Sequence, residues 1–161
     1  MDDVIDEWRD ASPGLDVTPI AIVLRLGRIR ALMEERMGAV VGRHGLTLGD
    51  FSAIAAVRRL DGGPGVPQVR IMEELGLTSG TVSVRVDRLV RGGWATRGPD
   101  PHDRRGSLVA LTPAGRAVFD AAAPDHLANE RDMLAGLSPG ARRELAGLLR
   151  ELLSDLEATN A

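Results

Sequence analysis

Apolar residues recur at three- and four-residue spacing along much of the chain, and turn signals separate these stretches. Residues 2–10 predict a short acidic helix, which a Ser-Pro-Gly turn ends. Thr18 and Pro19 predict the start of a longer helix, with Thr18 as its cap and Pro19 in its first turn. A helix capped by Thr47 is expected to stop at the glycine-rich residues 61–65. The stripe of the second helix consists of Ile22, Val23, Leu26, Ile29, Met33, Met37, Val40 and Val41.

The middle of the chain predicts two helices joined by a tight turn. Residues 67–75 form the first, and Gly76-Leu77 provides a turn in which glycine is free to take the left-handed conformation. A second helix, capped by Thr78 or Ser79, extends to about Arg91. This arrangement is a helix-turn-helix, whose second helix, the recognition helix, enters a groove of DNA in proteins that contain it.

A β-hairpin is predicted directly after the recognition helix. Gly92-Gly93 breaks the helix, and residues 94–97 and 107–111 predict two short strands, with Trp94 packed under the hairpin. The loop between them, residues 98–106, is polar, rich in turn formers and basic near its end. The hairpin therefore has the character of a wing beside the helix-turn-helix.

Two further helices are predicted at the C-terminal end, each opened by a hydroxyl residue and a proline. The first contains Val118, Phe119, Leu127 and Leu134; the second contains Leu145, Leu148, Leu149, Leu152, Leu153 and Leu156. Six leucines exceed what one short helix needs to anchor itself, which indicates burial against a partner. We expect a mainly α fold with a small β-hairpin wing, a single domain over 1–161. In it, helices at about 2–44 and 113–157 form a dimerisation bundle, and about 47–111 form the winged helix-turn-helix.

Composition narrows the class of protein. Apolar residues make up 43% of the chain, with two Phe, two Trp and no Tyr, so the core is expected to be aliphatic. There is no long apolar run and the N-terminus is acidic, which predicts a cytoplasmic protein. The absence of cysteine excludes disulfides, thiolate metal sites and thiol sensing. His44, His102 and His126 lack metal-ligand spacing, and we expect neither a metal nor a cofactor.

Charge is distributed unevenly along the chain, although the net charge is only −3. Residues 58–116 contain ten arginines against six acids, whereas the remainder contains ten arginines against seventeen. Every basic residue is arginine, which suits bidentate contacts with phosphate and guanine. A genome that favours arginine codons would give the same bias.

Three segments closely resemble the MarR family of bacterial regulators, and the resemblance covers nearly the whole chain. They are residues 75–89 (LGLTSGTVSVRVDRL) with Gly93, Trp94 and Arg97 after them, the wing sequence Asp100-Pro-His-Asp-Arg-Arg, and Val109-Ala-Leu-Thr-Pro-Ala-Gly. The resemblance implies an obligate homodimer with a winged helix in each lobe. Such proteins usually repress genes and release double-stranded DNA when a small anionic or aromatic ligand binds.

The extra N-terminal helix resembles that of the subgroup responding to urate and related carboxylates. This similarity implies that Trp8, Arg85 and Arg97 hold a ligand. The acidic position of the subgroup falls on Ser52, and Asp50, about 200° away around a helix, is no simple substitute. The departure argues against urate itself, whereas two guanidiniums still favour an anion. Trp8 either stacks on a ligand or docks its helix, and Arg85 and Arg97 either bind a ligand or make phosphate or structural contacts.

DNA contacts are expected from the recognition helix and the wing: Ser79, Gly80, Thr81, Ser83, Val84 and Arg88 on the helix, and Arg104 and Arg105 on the wing. The hydroxyls serve equally well as helix caps. Arg88 either contacts a phosphate or pairs with Asp87. One wing arginine enters the minor groove, while the other pairs with Asp103 or a phosphate; the sequence does not say which.

Three functions compete on these features. The first is a dimeric repressor, released from a pseudo-palindromic operator by a small anionic or aromatic ligand. The second is a constitutive DNA-binding regulator with no effector, in which the ligand candidates are structural. An enzyme is not expected, because the sequence has no phosphate-binding glycine loop, nucleophile elbow or metal-binding helix.

Overall fold

A computed structural model describes residues 2–101, 103 and 106–159 of the 161-residue chain, with the side chain of Asp2 left out. The elements, in chain order, are α1 (Asp2–Ala11), α2 (Thr18–Gly42), α3 (Leu48–Leu60), β1 (Val66–Pro67), α4 (Gln68–Leu75), α5 (Ser79–Arg91), β2 (Ala95–Pro99), β3 (Ser107–Leu111), α6 (Pro113–Met133) and α7 (Pro139–Thr159). The predicted helices, the helix-turn-helix of α4 and α5, and the wing hairpin of β2 and β3 are confirmed.

The sheet has three antiparallel strands in the order β1-β3-β2. Arg97 faces Val109 across the wing, and Val66 faces the same Val109 from the other side. The sequence prediction missed β1, because two residues, one of them proline, have no detectable period. Gly65 makes this pairing possible: its φ is +106°, and a Cβ there would lie 3.1 Å from the carbonyl oxygen of Val109.

An aliphatic core fills the space between α3, α4, α5 and β3, as the composition predicts. Its fully buried side chains include Ile54, Val57, Ile71, Val82, Val86, Leu89 and Val109. Phe51 of α3 stacks on Phe119 of α6, with ring centroids 5.6 Å apart. This core fixes α5 by its apolar side and leaves its opposite side for other contacts.

Helix starts follow the predicted capping residues with one correction. Thr47 and Asp50 form a complete capping box on α3, and Thr78 caps α5 by accepting a hydrogen bond from the Thr81 amide. Thr18 was expected to cap α2, but it is the first residue of that helix. The carboxylate of Asp16 instead accepts a hydrogen bond from the Thr18 amide at 3.0 Å, which lowers the pKa of Asp16.

Two further elements, α4 and β2, begin one residue later than predicted. Pro67 belongs to β1 and precedes α4, where its missing amide hydrogen removes no helical bond. Trp94 comes just before β2 and packs, half-buried, against the core, as expected of its side chain.

The chain divides into two compact units, Met1–His126 and Leu127–Ala161. The first contains the winged helix-turn-helix and its core. The second contains the end of α6 and all of α7, none of whose residues is buried. The single-domain description over 1–161 stays a prediction. Within the described ranges, no helix combines the length and the apolar character that crossing a membrane requires.

Candidate DNA-binding surface

The outer side of α5 is well formed for contact with another molecule. Val82, Val86 and Leu89 are buried in the core, whereas Val84, Asp87 and Arg88 between them are exposed. The exposed predicted contacts are Ser79, Gly80, Thr81, Val84 and Arg88. Val84 is 65% exposed, which places an apolar side chain at the centre of an otherwise polar face. Four of the six helical candidates, Gly80, Thr81, Val84 and Arg88, therefore line one open groove beside α3, whereas Ser79 lines a separate pocket beside α4 and the wing.

Ser83, the sixth candidate, is half-buried and takes part in a side-chain bridge. The amide nitrogen of Gln68 donates to the Ser83 hydroxyl at 2.8 Å, and the Ser107 hydroxyl donates to the amide oxygen of Gln68 at 3.2 Å. Gln68 thereby joins α4, α5 and the first residue of β3. Sequence reasoning missed Gln68, because nothing in its spacing shows that its side chain reaches two other elements.

Arg88 pairs with a residue that the sequence did not suggest. Its Nε lies 3.2 Å from Oδ2 of Asp50, whose side chain is only 1% exposed, while Arg88 is 52% exposed. The alternative pairing of Arg88 with Asp87 is wrong. Asp87 instead faces Arg97, with 2.8 Å between Oδ1 and Nη1.

Arg97 fastens the wing to the recognition helix. Besides its ion pair with Asp87, its Nη2 donates to the main-chain carbonyl of Ser83 at 3.4 Å. Of the three roles expected for Arg97, which are ligand binding, phosphate contact and structural contact, the structure shows the structural contact. Asp87, the residue of α5 that Arg97 pairs with, projects about 200° around the helix from Arg85. Arg97 therefore contacts a different side of α5 from the one that carries Arg85.

Arg85 lies across the first turn of α3. Its guanidinium is 3.0–3.1 Å from the place that a Cβ on Gly49 would occupy, so glycine is what makes room for it. No hydrogen bond or ion pair engages Arg85 among the residues that the structure describes. An open groove of about 740 Å³ runs between α3 and α5 here, and it contains both Arg85 and Arg88.

The remaining ligand candidates lie on separate elements. Trp8 is 46% exposed on α1, where Ile5 is the buried apolar residue. The Ser52 hydroxyl donates to the carbonyl of Leu48 within α3, at 2.8 Å. The structure does not bring Trp8, Ser52, Arg85 and Arg97 into hydrogen-bonding contact with one another.

The wing is closed near its tip by main-chain hydrogen bonds. The Asp100 amide donates to the Gly106 carbonyl at 3.3 Å, and the Gly106 amide donates to the Asp103 carbonyl at 2.9 Å. Arg104 and Arg105 lie outside the described residues, so their contacts stay predictions. In the described part of the chain, no three His, Asp or Glu side chains come together as metal ligands.

A helix-turn-helix with an exposed outer face, flanked by a β-hairpin tied to that helix, defines the class of winged helix DNA-binding regulators. Residues 44–106 match the family model described as MarR family. The chain is 30% identical to the HTH-type transcriptional regulator PecS of Dickeya dadantii over 149 residues, which are 92% of this chain and 90% of PecS. The chain belongs to the MarR family of transcriptional regulators. Members of this family are not enzymes, which confirms that expectation.

Solved structures agree with this assignment. A mutant MarR of Escherichia coli, complexed with operator DNA, superposes with a TM-score of 0.76 at 20% identity, over 91% of this chain and 97% of that one. At this identity, the likeness concerns the fold. BpsR of Bordetella bronchiseptica, whose DNA binding is regulated by 6-hydroxynicotinic acid, is 26% identical with a TM-score of 0.65, over 80% of this chain and 98% of BpsR.

Proposed function

We propose that this regulator is a cytoplasmic homodimeric repressor that reads a pseudo-palindromic operator through α5 and the wing, and that a small anionic or aromatic ligand releases it. The observation that carries the proposal is the outer side of α5, where Gly80, Thr81, Val84 and Arg88 are exposed together. In a two-fold dimer, two such helices enter successive major grooves about 34–36 Å apart.

Each exposed group on α5 has a chemical counterpart in DNA. Val84 fits the methyl group of thymine, and the Thr81 hydroxyl suits a base edge or a phosphate. Arg88 has two terminal nitrogens for a phosphate or a guanine. Ser79, Gly80 and Ser83 complete the helix surface, and Arg104 and Arg105 provide the wing contact with the minor groove.

DNA binding is tested by titrating the protein onto the DNA upstream of its own gene at increasing salt. Since phosphate contacts release counterions, we expect affinity to fall on the order of a thousandfold between about 50 and 200 mM salt, with a symmetric footprint. Binding that does not change with salt would contradict phosphate contact by the arginines.

A ligand response is supported by three observations. Arg85 has its charge in the open α3–α5 groove without a partner among the described residues, and Trp8 presents an exposed ring. BpsR, which is similar to this chain, is regulated by an aromatic carboxylic acid. A ligand that binds the DNA-free conformation more tightly shifts the population away from the operator.

The ligand is tested by repeating the titration with urate, small polycarboxylates and 6-hydroxynicotinate. We expect one of these anions to release the DNA and to raise the melting temperature of the free protein. Trp8→Phe and Arg85→Met then separate residues that hold the ligand from residues that do not.

The constitutive regulator is the second candidate. It is favoured by one observation: Arg97 is already engaged by Asp87 and Ser83, as a purely structural residue would be. DNA binding that none of the anions weakens, together with an unchanged melting temperature, would favour it or a ligand of another class.

A further inference from the structure

Asp50 combines deep burial with a contact to the DNA-facing side of α5. Its side chain is 1% exposed, and its Oδ2 lies 3.2 Å from Nε of Arg88. Nε is the guanidinium nitrogen closest to the main chain. Because Asp50 pairs with Nε, the two terminal nitrogens, Nη1 and Nη2, lie at the open end of the half-exposed side chain. Neither has a partner among the described residues.

The charge of Asp50 is not needed for the local structure of α3. Its Oδ2 accepts hydrogen bonds from the amide and the hydroxyl of Thr47, at 3.0 and 2.6 Å, and these close the capping box. A neutral amide side chain can accept the same hydrogen bonds. Oδ1 is buried without any hydrogen-bond partner, and an incompletely paired buried carboxylate is unfavourable for folding. Arg88 is the only cation with which Asp50 forms an ion pair in the described structure.

We propose that Asp50 is a positioning residue for DNA binding, which holds Arg88 by Nε so that Nη1 and Nη2 point at the DNA backbone. The inference rests on the proposed function, in which the outer side of α5 meets DNA. A free arginine side chain must lose rotamer freedom when it binds a phosphate. Because the carboxylate imposes that order beforehand, less of the binding free energy is lost when Arg88 meets DNA.

The test compares Asp50→Asn, Arg88→Met and the double variant on a duplex that the unmodified protein has selected from a random pool. Asp50→Asn keeps the acceptor of the capping box and removes the ion pair. We expect a similar melting temperature and about tenfold weaker DNA binding, the order expected from the rotamer freedom that Arg88 regains. In the Arg88→Met background, Asp50→Asn should cause no further loss, because the two residues act as a unit.

Salt dependence provides a readout that a purely structural role of Arg88 would leave unchanged. Arg88→Met should reduce the slope of log affinity against log salt by about one phosphate contact. Asp120→Asn is the matched control, since it also removes a carboxylate paired with an arginine, here Arg58 at 3.5 Å, at a site outside α5. Its affinity for the duplex should equal that of the unmodified protein.

Arg88→Lys keeps the inference testable even if Asp50→Asn fails to fold. Lysine retains the positive charge but lacks Nε and the planar fork, so binding should weaken about as much as in Asp50→Asn. Equal or tighter binding by Asp50→Asn or Arg88→Lys, alongside weaker binding by Arg88→Met, would overturn the positioning role and leave the DNA contact of Arg88 standing. Unchanged binding by Arg88→Met would overturn both, whereas a protein that selects no duplex would refute the proposed function itself.

Discussion

Gly115, the last residue of the Leu111-Thr-Pro-Ala-Gly segment, has no space for a side chain. A Cβ at this position would lie 1.9 Å from the carbonyl oxygen of Trp94. Three hydrogen bonds draw the chain together here: the Thr112 amide donates to the Trp94 carbonyl, the Thr112 hydroxyl donates to the Gly93 carbonyl, and the Gly115 amide donates to that hydroxyl. Glycine therefore allows α6 to begin directly against the residues that precede β2.

Gly115→Ala is expected to lower the free energy of unfolding by at least about 2 kcal/mol, because the clash is with main-chain atoms that cannot rotate away. Urea unfolding followed by circular dichroism measures the change. Gly147→Ala in α7 is the matched control: no atom lies within 4 Å of its added Cβ, and a helical alanine gains up to about 1 kcal/mol. Equal stability of the two variants would show that the contact at Trp94 relaxes without strain.

At the scale of elements, the side chain of Gln68 connects three parts of the winged helix. It donates to Ser83 on α5 and accepts from Ser107 on β3, so the recognition helix and the wing are tied through α4. Since Ser83 Oγ accepts the bond from Gln68, its own proton stays available for a DNA group. The ion pair of Arg97 with Asp87 joins the same two elements further along.

Gln68→Met is expected to weaken DNA binding several-fold with little change in stability, since methionine has a similar length but makes neither hydrogen bond. Affinity for the selected duplex, measured by fluorescence anisotropy, gives the result. In a Ser83→Ala background, the effect of Gln68→Met should largely disappear, whereas in a Thr81→Ala background it should remain. Full additivity with Ser83→Ala would mean that Gln68 does not act through Ser83.

The helices and the wing were predictable because each depends on local signals. Apolar spacing places α2 and α5, and Thr47, Thr78 and the glycine-rich breaks set helix ends within a residue or two. What local patterns do not contain is which distant side chains meet. Asp50 is no substitute for an acid at Ser52, because the two point in different directions on α3, and yet tertiary packing brings Asp50 to Arg88. The same limit applies to the hydrogen bonds of Gln68 and to strand β1, since both form only with partners far along the chain.

At the scale of the whole molecule, α7 is a helix that the rest of its own chain leaves unburied. None of its residues is buried, and its six leucines are between 38% and 58% exposed. Exposed apolar faces of this size mark protein–protein contacts. They support the proposed dimer, in which a second copy of the chain covers the leucine face.

Leu152→Glu is expected to convert the dimer to a monomer at micromolar concentration, because it would bury a charge without a partner at the interface. Light scattering after gel filtration measures the mass. Ser154→Glu introduces the same charge about 200° away around α7 and should leave a dimer. A dimeric Leu152→Glu protein would place the subunit contact elsewhere. The monomer should also lose most operator affinity, since it presents one recognition helix instead of two.

Trp94 gives the molecule a built-in optical reporter. The chain has two tryptophans and no tyrosine, so in a Trp8→Phe protein all of the indole emission comes from this one ring. Its ring lies against Gly92 at the end of α5, and its carbonyl receives the amide at the start of α6. The wavelength and quenching of its fluorescence therefore follow the junction of recognition helix, wing and α6 alone. Stopped-flow emission from unlabelled protein can then time the arrival and departure of DNA at that junction.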